Sequence, residues 1–205
     1  LLDKLIGLGY PSTITPEDGA VPSSISAVDP KFKMPTIWKS SIAVDYQLPV
    51  GFPMTVTGEF MFNKTVQGVM LQDWNMKDPS GFSRLTGIDN RHVFPAKGAT
   101  YTGTNAFVLT NTNKGYGYTA NILINAQPIP ELNITASYTH TVQKEVSGMP
   151  GSNAESAFTY IPSIEGPNHV GLHNSQYVTP DRFVASATHS DKGGNHFSFI
   201  YEAWR

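Results

Sequence analysis

The 205-residue chain contains no cysteine, which excludes disulfides, thiolate metal sites and cysteine nucleophiles. Charge is scarce too: 15% of the residues are Asp, Glu, Lys or Arg, whereas the usual share is about 25%. The formal charge is −2 and no run of Lys or Arg occurs, so we expect no nucleic-acid partner. No stretch of about 18 apolar residues is present, so the sequence predicts no transmembrane helix.

Motifs that carry chemistry are missing as well. The sequence has no Walker motif, dinucleotide fingerprint, zincin motif or G-x-S-x-G elbow. His169 and His173 are four residues apart, but Gly and Pro around them disfavour the helix that a shared metal ion would need. Asp78, Asp89 and Asn90 lack the spacing of an EF-hand, so a surface calcium ion there is the weaker interpretation. We therefore predict a protein that is not an enzyme and has no catalytic residues, metal or cofactor.

What the sequence does contain is strands of alternating polarity. In "GYGYTANILINAQPIPELNITASYTHT", aromatic or aliphatic residues recur at every second position, with Asn, Gln, Thr and Ser between them. A period of two predicts β-strands with one apolar and one polar face. We predict six strands, which form three hairpins, at residues 36–48, 53–76, 104–127, 132–146, 182–190 and 196–205. Residues 1–35 are predicted to be a loop that begins with two helical turns at residues 1–8.

The connections between these strands alternate in length. "PVGF", "PIPE" and "DKGGN" are short turns, whereas residues 73–104 and 147–179 form connections of about thirty residues. Short turns on one side and long loops on the other are typical of outer-membrane barrels, as are aromatic residues near the strand ends. The predicted fold class is therefore all-β: antiparallel up-and-down strands, about six in number, that form part of a larger transmembrane β-barrel with long extracellular loops.

In such a barrel the two strand faces have different surroundings. The predicted lipid-facing residues are Trp38, Ile42, Val44, Met54, Val56, Phe60, Ile122, Ile124, Leu132, Ile134, Phe197 and Phe199. Lys39, Asp45 and Glu59 are predicted to face the lumen. The sequence leaves open whether Asp45 and Glu59 line a transport path together or are wall residues, either solvated or paired with Lys39.

Binding residues concentrate on loops that a rigid scaffold holds, so the long loops are where an extracellular ligand would first make contact. The candidate ligand-contact residues are Trp74, Arg91, His92, Tyr160 and His169. Their side chains can stack on a polar ligand or form hydrogen bonds with it. The alternative is that they pack the loops against one another.

Several segments resemble a known family. "PKFKMPTIWKSSIAVDYQLPVGFPMTVTGEFMF", "VLTNTNKGYGYTANILINAQ", "YTHTVQKEVSGMPGSNAESAF" and "NSQYVTPDRFVASATH" resemble the barrel region of TonB-dependent outer-membrane receptors of the Bacteroidetes type, including the Oar-like and SusC-like groups. The resemblance implies a 22-stranded barrel that holds a plug domain, with nutrient import powered through TonB. Six strands cannot close such a barrel, and neither plug nor TonB box is present. We therefore expect residues 1–205 to be a fragment of one outer-membrane barrel domain.

The resemblance also implies a location and partners. The location is the cell outer membrane, and the partners are outer-membrane lipid, TonB through a region absent from this chain, and a nutrient ligand such as a siderophore, glycan or peptide. Whether a surface lipoprotein takes part stays open. The main alternative is a soluble β-sandwich binding module, such as a surface adhesin or glycan-binding domain, which would bury the same apolar side chains between two sheets. A secreted β-rich hydrolase is a third interpretation, but no convincing acid/base pair supports it.

Protease added to intact cells tests the barrel interpretation. We expect cuts in the native full-length protein only within residues 73–104 and 147–179, because only the long loops face outward in a barrel. Membrane fractionation followed by mass spectrometry of the fragments measures this. Recovery in the soluble fraction, or cuts at the short turns, would favour the binding module instead.

Overall fold

The computed structural model describes residues 7–9, 19 and 22–205, and its main feature is a nine-stranded sheet. The strands are β1 (Ser24–Val28), β2 (Thr36–Gln47), β3 (Met54–Asp73), β4 (Asn105–Thr112), β5 (Tyr116–Ile129), β6 (Leu132–Glu145), β7 (His173–Asn174), β8 (Asp181–Ser190) and β9 (His196–Trp204). A 3₁₀ helix (Pro79–Gly81) and a short α-helix, α1 (Ala154–Thr159), lie in the long connections. No helix in the described part of the chain is long and apolar enough to span a bilayer.

The all-β class and the three hairpins are confirmed. β2 pairs with β3, β5 with β6 and β8 with β9, in each case antiparallel, and the bounds lie close to those predicted. The hairpins join side by side in the order β2-β3-β5-β6-β8-β9, because β3 also pairs with β5 and β6 also pairs with β8. The sheet they form is open over the residues described. We call these six strands, with β3 taken to residue 67, the wall.

The register places all the predicted lipid-facing residues on one side of the wall. Directly paired residues of neighbouring strands point to the same face of a sheet. One row across five strands is Val44, Gly58, Ile122, Tyr138 and Phe183. We call this side the apolar face and the other the polar face. The apolar side chains are not covered: Ile122, for example, is 55% exposed.

Two predictions about strand bounds are wrong. Residues 1–35 are not all loop, because β1 lies among them and pairs in parallel with β4. Most of the remaining predicted loop, with its helical turns, lies outside the described residues. The predicted strand 104–127 is interrupted at residues 113–115, where Gly115 has a positive φ of 132° and its carbonyl accepts a hydrogen bond from the Thr65 N–H. β4 and β5 nevertheless pair with β3 in one continuous register.

The two predicted loops fold into a structure of their own, which we call the cap. It consists of β1, β4, residues 68–73 of β3 and the connections 74–104 and 146–180. One cluster of buried side chains is Leu71, Phe107, Ala157 and Phe158, and a second is Val146, Ile161 and Val170. Every buried hydrophobic side chain among the described residues lies in the cap. The molecule therefore has its core in the cap, while the wall is a single layer.

Gly117 allows side chains of two strands that are not neighbours to meet on the polar face. Its register partners are Asn63 on β3 and Gln143 on β6. Because Gly117 has no side chain, Asn63 Nδ2 reaches across it and donates to Gln143 Oε1 at 3.1 Å. A Cβ at this position would overlap Gln143 Oε1 and would lie 2.8 Å from the Val142 carbonyl oxygen. Glycine is therefore the residue that lets the polar side chains of β3 and β6 meet across β5.

Replacing Gly117 by alanine is expected to destabilise the wall by about 1–3 kcal/mol, because an added methyl group must displace packed neighbours. Gly58→Ala is the matched control, since a Cβ at Gly58 in the adjacent strand meets nothing within 4 Å. The measurement is the midpoint of chemical unfolding of the complete protein. Equal midpoints for the two variants would contradict this account of Gly117.

Candidate functional site

The two long connections of the cap are joined at Asp73, the last residue of β3, which is 0% exposed. The Asn168 side chain binds its backbone twice: Oδ1 accepts from the Asp73 N–H at 2.8 Å, and Nδ2 donates to the Asp73 carbonyl at 2.7 Å. The Asp73 carboxylate in turn accepts from the N–H groups of Asn75 and Ala106, both at 2.9 Å. The Asn168 side-chain amide therefore binds the end of β3 as the backbone of a neighbouring strand would.

A cleft of about 430 Å³ lies between the two connections. Its lining residues are Asp78, Pro79, Ser80, Arg84, His92, Glu165 and His169. Five of these seven side chains are ionisable, and both signs of charge are present. We call it the cap cleft.

A small hairpin within the first connection positions Arg84 and His92. The Leu85 N–H donates to the Arg91 carbonyl at 2.9 Å, and the Val93 N–H donates to the Ser83 carbonyl at 2.8 Å. Arg84 and His92 are thus paired directly across the hairpin. Both side chains line the cleft, and Arg84 Nη1 donates to the Asn90 carbonyl at 3.0 Å.

A turn in the second connection brings in Glu165 and His169. The His169 N–H donates to the Gly166 carbonyl at 2.9 Å, and Gly166 has a positive φ of 121°. Phe94 packs against this glycine so closely that a Cβ there would lie 2.8 Å from the ring. Phe94 itself meets Phe82 edge to face, with 5.3 Å between ring centroids. Aromatic packing between the connections therefore holds the turn that carries the cleft residues.

The electrostatics of the cleft suit a polar ligand. Hydrogen bonds from Ser80 lower the pKa of the Asp78 carboxyl, and His169 and His92 lower it further by charge attraction. Asp78 is therefore ionised at neutral pH. His92 Nδ1 is buried and has no hydrogen-bond partner among the described residues. The cleft can hold a ligand with groups of both signs through hydrogen bonds and charge.

The structure brings together two of the five predicted contact residues, His92 and His169. Trp74 is exposed directly after β3, outside the cleft, and Tyr160 lines a separate cavity of about 60 Å³ beside α1. Arg84 and Glu165 complete the cleft, and neither was singled out from the sequence. The turn residues Gly87, Asp89 and Asn90 in "SRLTGIDNRHV" are the one sequence signal for the hairpin that carries Arg84.

Arg91 is occupied by a local partner. It forms an ion pair of 2.6 Å with Asp89 in the turn of the same hairpin, and these contacts lower the pKa of Asp89 to about 2 and raise the pKa of Arg91. Asp78 lines the cap cleft, whereas Asp89 does not. Among residues 7–9, 19 and 22–205, no three His, Cys, Asp or Glu side chains are close enough to hold a metal ion.

Lys39, Asp45 and Glu59 all lie on the polar face of the wall. Asp45 pairs with Thr57 in the register, accepts a hydrogen bond from the Thr57 hydroxyl, and lies one diagonal step from Glu59. Lys39 pairs with Asn63. In the described part of the chain no ion pair involves Lys39.

The polar face also carries a pocket of about 530 Å³ at the edge nearest the cap. Its lining residues are Thr139, Thr141, Tyr177, Val178, Thr179, Arg182, Glu202 and Trp204. Arg182 lies between its register partners Thr139 and Trp204, and its guanidinium binds Glu202 at 2.7 Å. Tyr177 and Trp204 are 70% and 67% exposed. The pocket thus offers open aromatic rings beside hydroxyl and charged groups.

The wall, the cap cleft and the polar-face pocket are the features from which a function can be inferred. No family model, no curated protein and no solved structure matches the chain. A functional inference therefore depends on the chemistry of these surfaces.

Asn168→Ala is expected to loosen the cap, because it leaves the buried N–H and carbonyl groups of Asp73 without partners at a cost of about 1–3 kcal/mol each. The expected result is faster proteolysis within residues 146–180 and unchanged cleavage elsewhere. Gln176→Ala is the control, since Gln176 is exposed in the same connection. Equal proteolysis of the two variants would show that Asn168 does not hold the connections together.

Proposed function

We propose that the chain is part of the barrel wall of a TonB-dependent outer-membrane receptor that takes up a nutrient ligand. The observation that carries this proposal is the apolar face, which continues across six paired strands, is mainly apolar and is exposed. Phe199 near one edge of the wall is 69% exposed and Ile42 near the other is 66% exposed. Monomeric soluble proteins rarely expose so wide an apolar surface, whereas a lipid bilayer covers one.

The dimensions of the apolar face agree with a bilayer. On β3 the apolar stretch runs over residues 54–62, and a tilted barrel strand crosses the hydrocarbon core in about 9–11 residues. At the cap end of this stretch Trp38 meets Phe62 with 6.0 Å between ring centroids, and Phe60 stacks on Tyr118 at 6.1 Å. Aromatic rings at that level are typical of the boundary between lipid and water.

The polar face suits a lumen. Its side chains bind one another across neighbouring strands, as in the bonds of Thr135 to Asn125 at 2.9 Å and Thr139 to Asn121 at 3.0 Å. Such a surface faces water or a polar domain in a large barrel. A plug domain is the occupant that the family resemblance implies.

The cap cleft and the polar-face pocket are the proposed ligand contacts. The cleft lies where an extracellular ligand would arrive, and the pocket lies on the lumen side of the wall. Both recognise polar groups, and a receptor of this kind binds and transports its ligand without chemical change.

The proposed partners are outer-membrane lipid, the nutrient ligand and TonB through another region of the polypeptide, with a surface lipoprotein as a further candidate. Nucleic acid is not among them.

A soluble β-sandwich binding module is the second candidate function. It would need a second sheet against the apolar face, and in the described residues no second sheet covers it. This observation favours the barrel. Solubility separates the two proposals, because the module would be recovered as a monomer without detergent.

Ile122→Lys is expected to reduce insertion stability by about 2–4 kcal/mol, because the charge would face lipid near the bilayer midplane. Leu123→Lys is the matched control: the neighbouring residue is also aliphatic, but it lies on the polar face between Thr57 and Ser137. The measurement is the amount of folded protein in the outer-membrane fraction. Normal assembly of the Ile122→Lys variant, or an equal loss in both variants, would overturn the barrel proposal.

A further inference from the structure

A row of four side chains crosses the apolar face at its cap end. Trp38 pairs with Lys64, Lys64 with Tyr116, and Tyr116 with Lys144, so the row spans β2, β3, β5 and β6. Directly paired residues share a face, which places both lysines on the same side as the exposed aliphatic residues. Within the wall strands, these are the two lysines on the apolar face.

Neither lysine is neutralised by the protein. In the described ranges no carboxylate lies within ion-pair distance of Lys64 or Lys144. Lys64 Nζ donates to the carbonyl of Asn113 at 3.1 Å, which holds the side chain towards the cap end of the row. By contrast, the charged groups elsewhere on this face compensate one another, since Asp181 binds both His140 and Arg205.

The spacing of the two lysines and the apolar surface beside them indicate which kind of ligand the row would bind. Strands in a sheet are about 4.8 Å apart, so the backbones of Lys64 and Lys144 are about 10 Å apart with Tyr116 between them. Two flexible lysine side chains at that separation can reach one phosphorylated group. Toward the centre of the wall, the next residues on the same face are Ser40, Phe62, Tyr118 and Val142. These provide a mainly apolar surface for an acyl chain.

We propose that Lys64 and Lys144, with Tyr116 between them and Trp38 next to Lys64, bind the phosphorylated headgroup of a lipid whose acyl chains lie along the apolar face. This rests on the proposed function, because a lipid can occupy the face only if the wall is in a membrane. Trp and Tyr rings favour the level of the headgroups, and lysine side chains extend their ammonium groups to that level. The site recognises phosphate by charge and lipid by the apolar surface next to it.

The test uses the complete protein, purified in neutral detergent and titrated with phosphatidic acid, with bound lipid counted by native mass spectrometry. The expected result is at least a tenfold weaker affinity for the double variant Lys64→Gln/Lys144→Gln. Lys39→Gln is the matched control, because Lys39 adjoins Trp38 in the chain and lies on the polar face. Its affinity for phosphatidic acid is expected to match that of the unmodified protein.

Three results would overturn the proposal. One is an unchanged affinity in the double variant, and another is an equal loss in Lys39→Gln, which would indicate general charge attraction. The third is full displacement of the lipid by inorganic phosphate at equal concentration, which would assign the site to a free anion. All three results are measured on protein recovered from the outer membrane, so none of them contradicts the proposed barrel function. Recovery of the unmodified protein in the soluble fraction would instead overturn both proposals.

Discussion

The register of antiparallel pairing is the constraint on which the rest of the structure depends. A period of two along one strand gives that strand an apolar side, but only matched registers combine six such strands into one continuous face. A slip of one residue between β5 and β6 would turn Ile134 and Tyr138 to the opposite side. The division of the wall into an apolar and a polar surface is therefore a property of the pairing as much as of the composition.

The cap is ordered by a different interaction, in which side-chain amides complete the backbone bonding of strands and connections. Asn168 binds the N–H and carbonyl groups of Asp73, and Asn111 binds those of Lys33 in the same way, at 2.7 and 2.8 Å. Each amide supplies one donor and one acceptor, as a neighbouring strand would. Long connections that would otherwise expose unpaired backbone can in this way pack into a core.

The sequence predicts the wall much better than the cap. Alternation and turn residues are local signals, so the six wall strands, their hairpins and the face of each residue could all be read from them. The parallel pairing of β1 and the interruption at Gly115 depend on contacts between distant segments, for which the sequence has no period. The cap cleft also depends on contacts between segments that are distant in the sequence. The chemistry of His92 and His169 predicts them as ligand contacts, whereas Arg84 and Glu165 line the cleft because Asn168 and Phe94 bring two connections together.

β3 belongs to both parts of the molecule. Its 20 residues run from the apolar stretch to Asp73 in the centre of the cap, and their pairing with β5 and then β4 keeps one register throughout. Its one register irregularity is opposite β2, where Val66 is left unpaired, and its end is fixed by hydrogen bonds from both connections. β3 therefore connects the cap to the wall as one continuous strand. Movement of the cap would therefore strain the wall strands through β3.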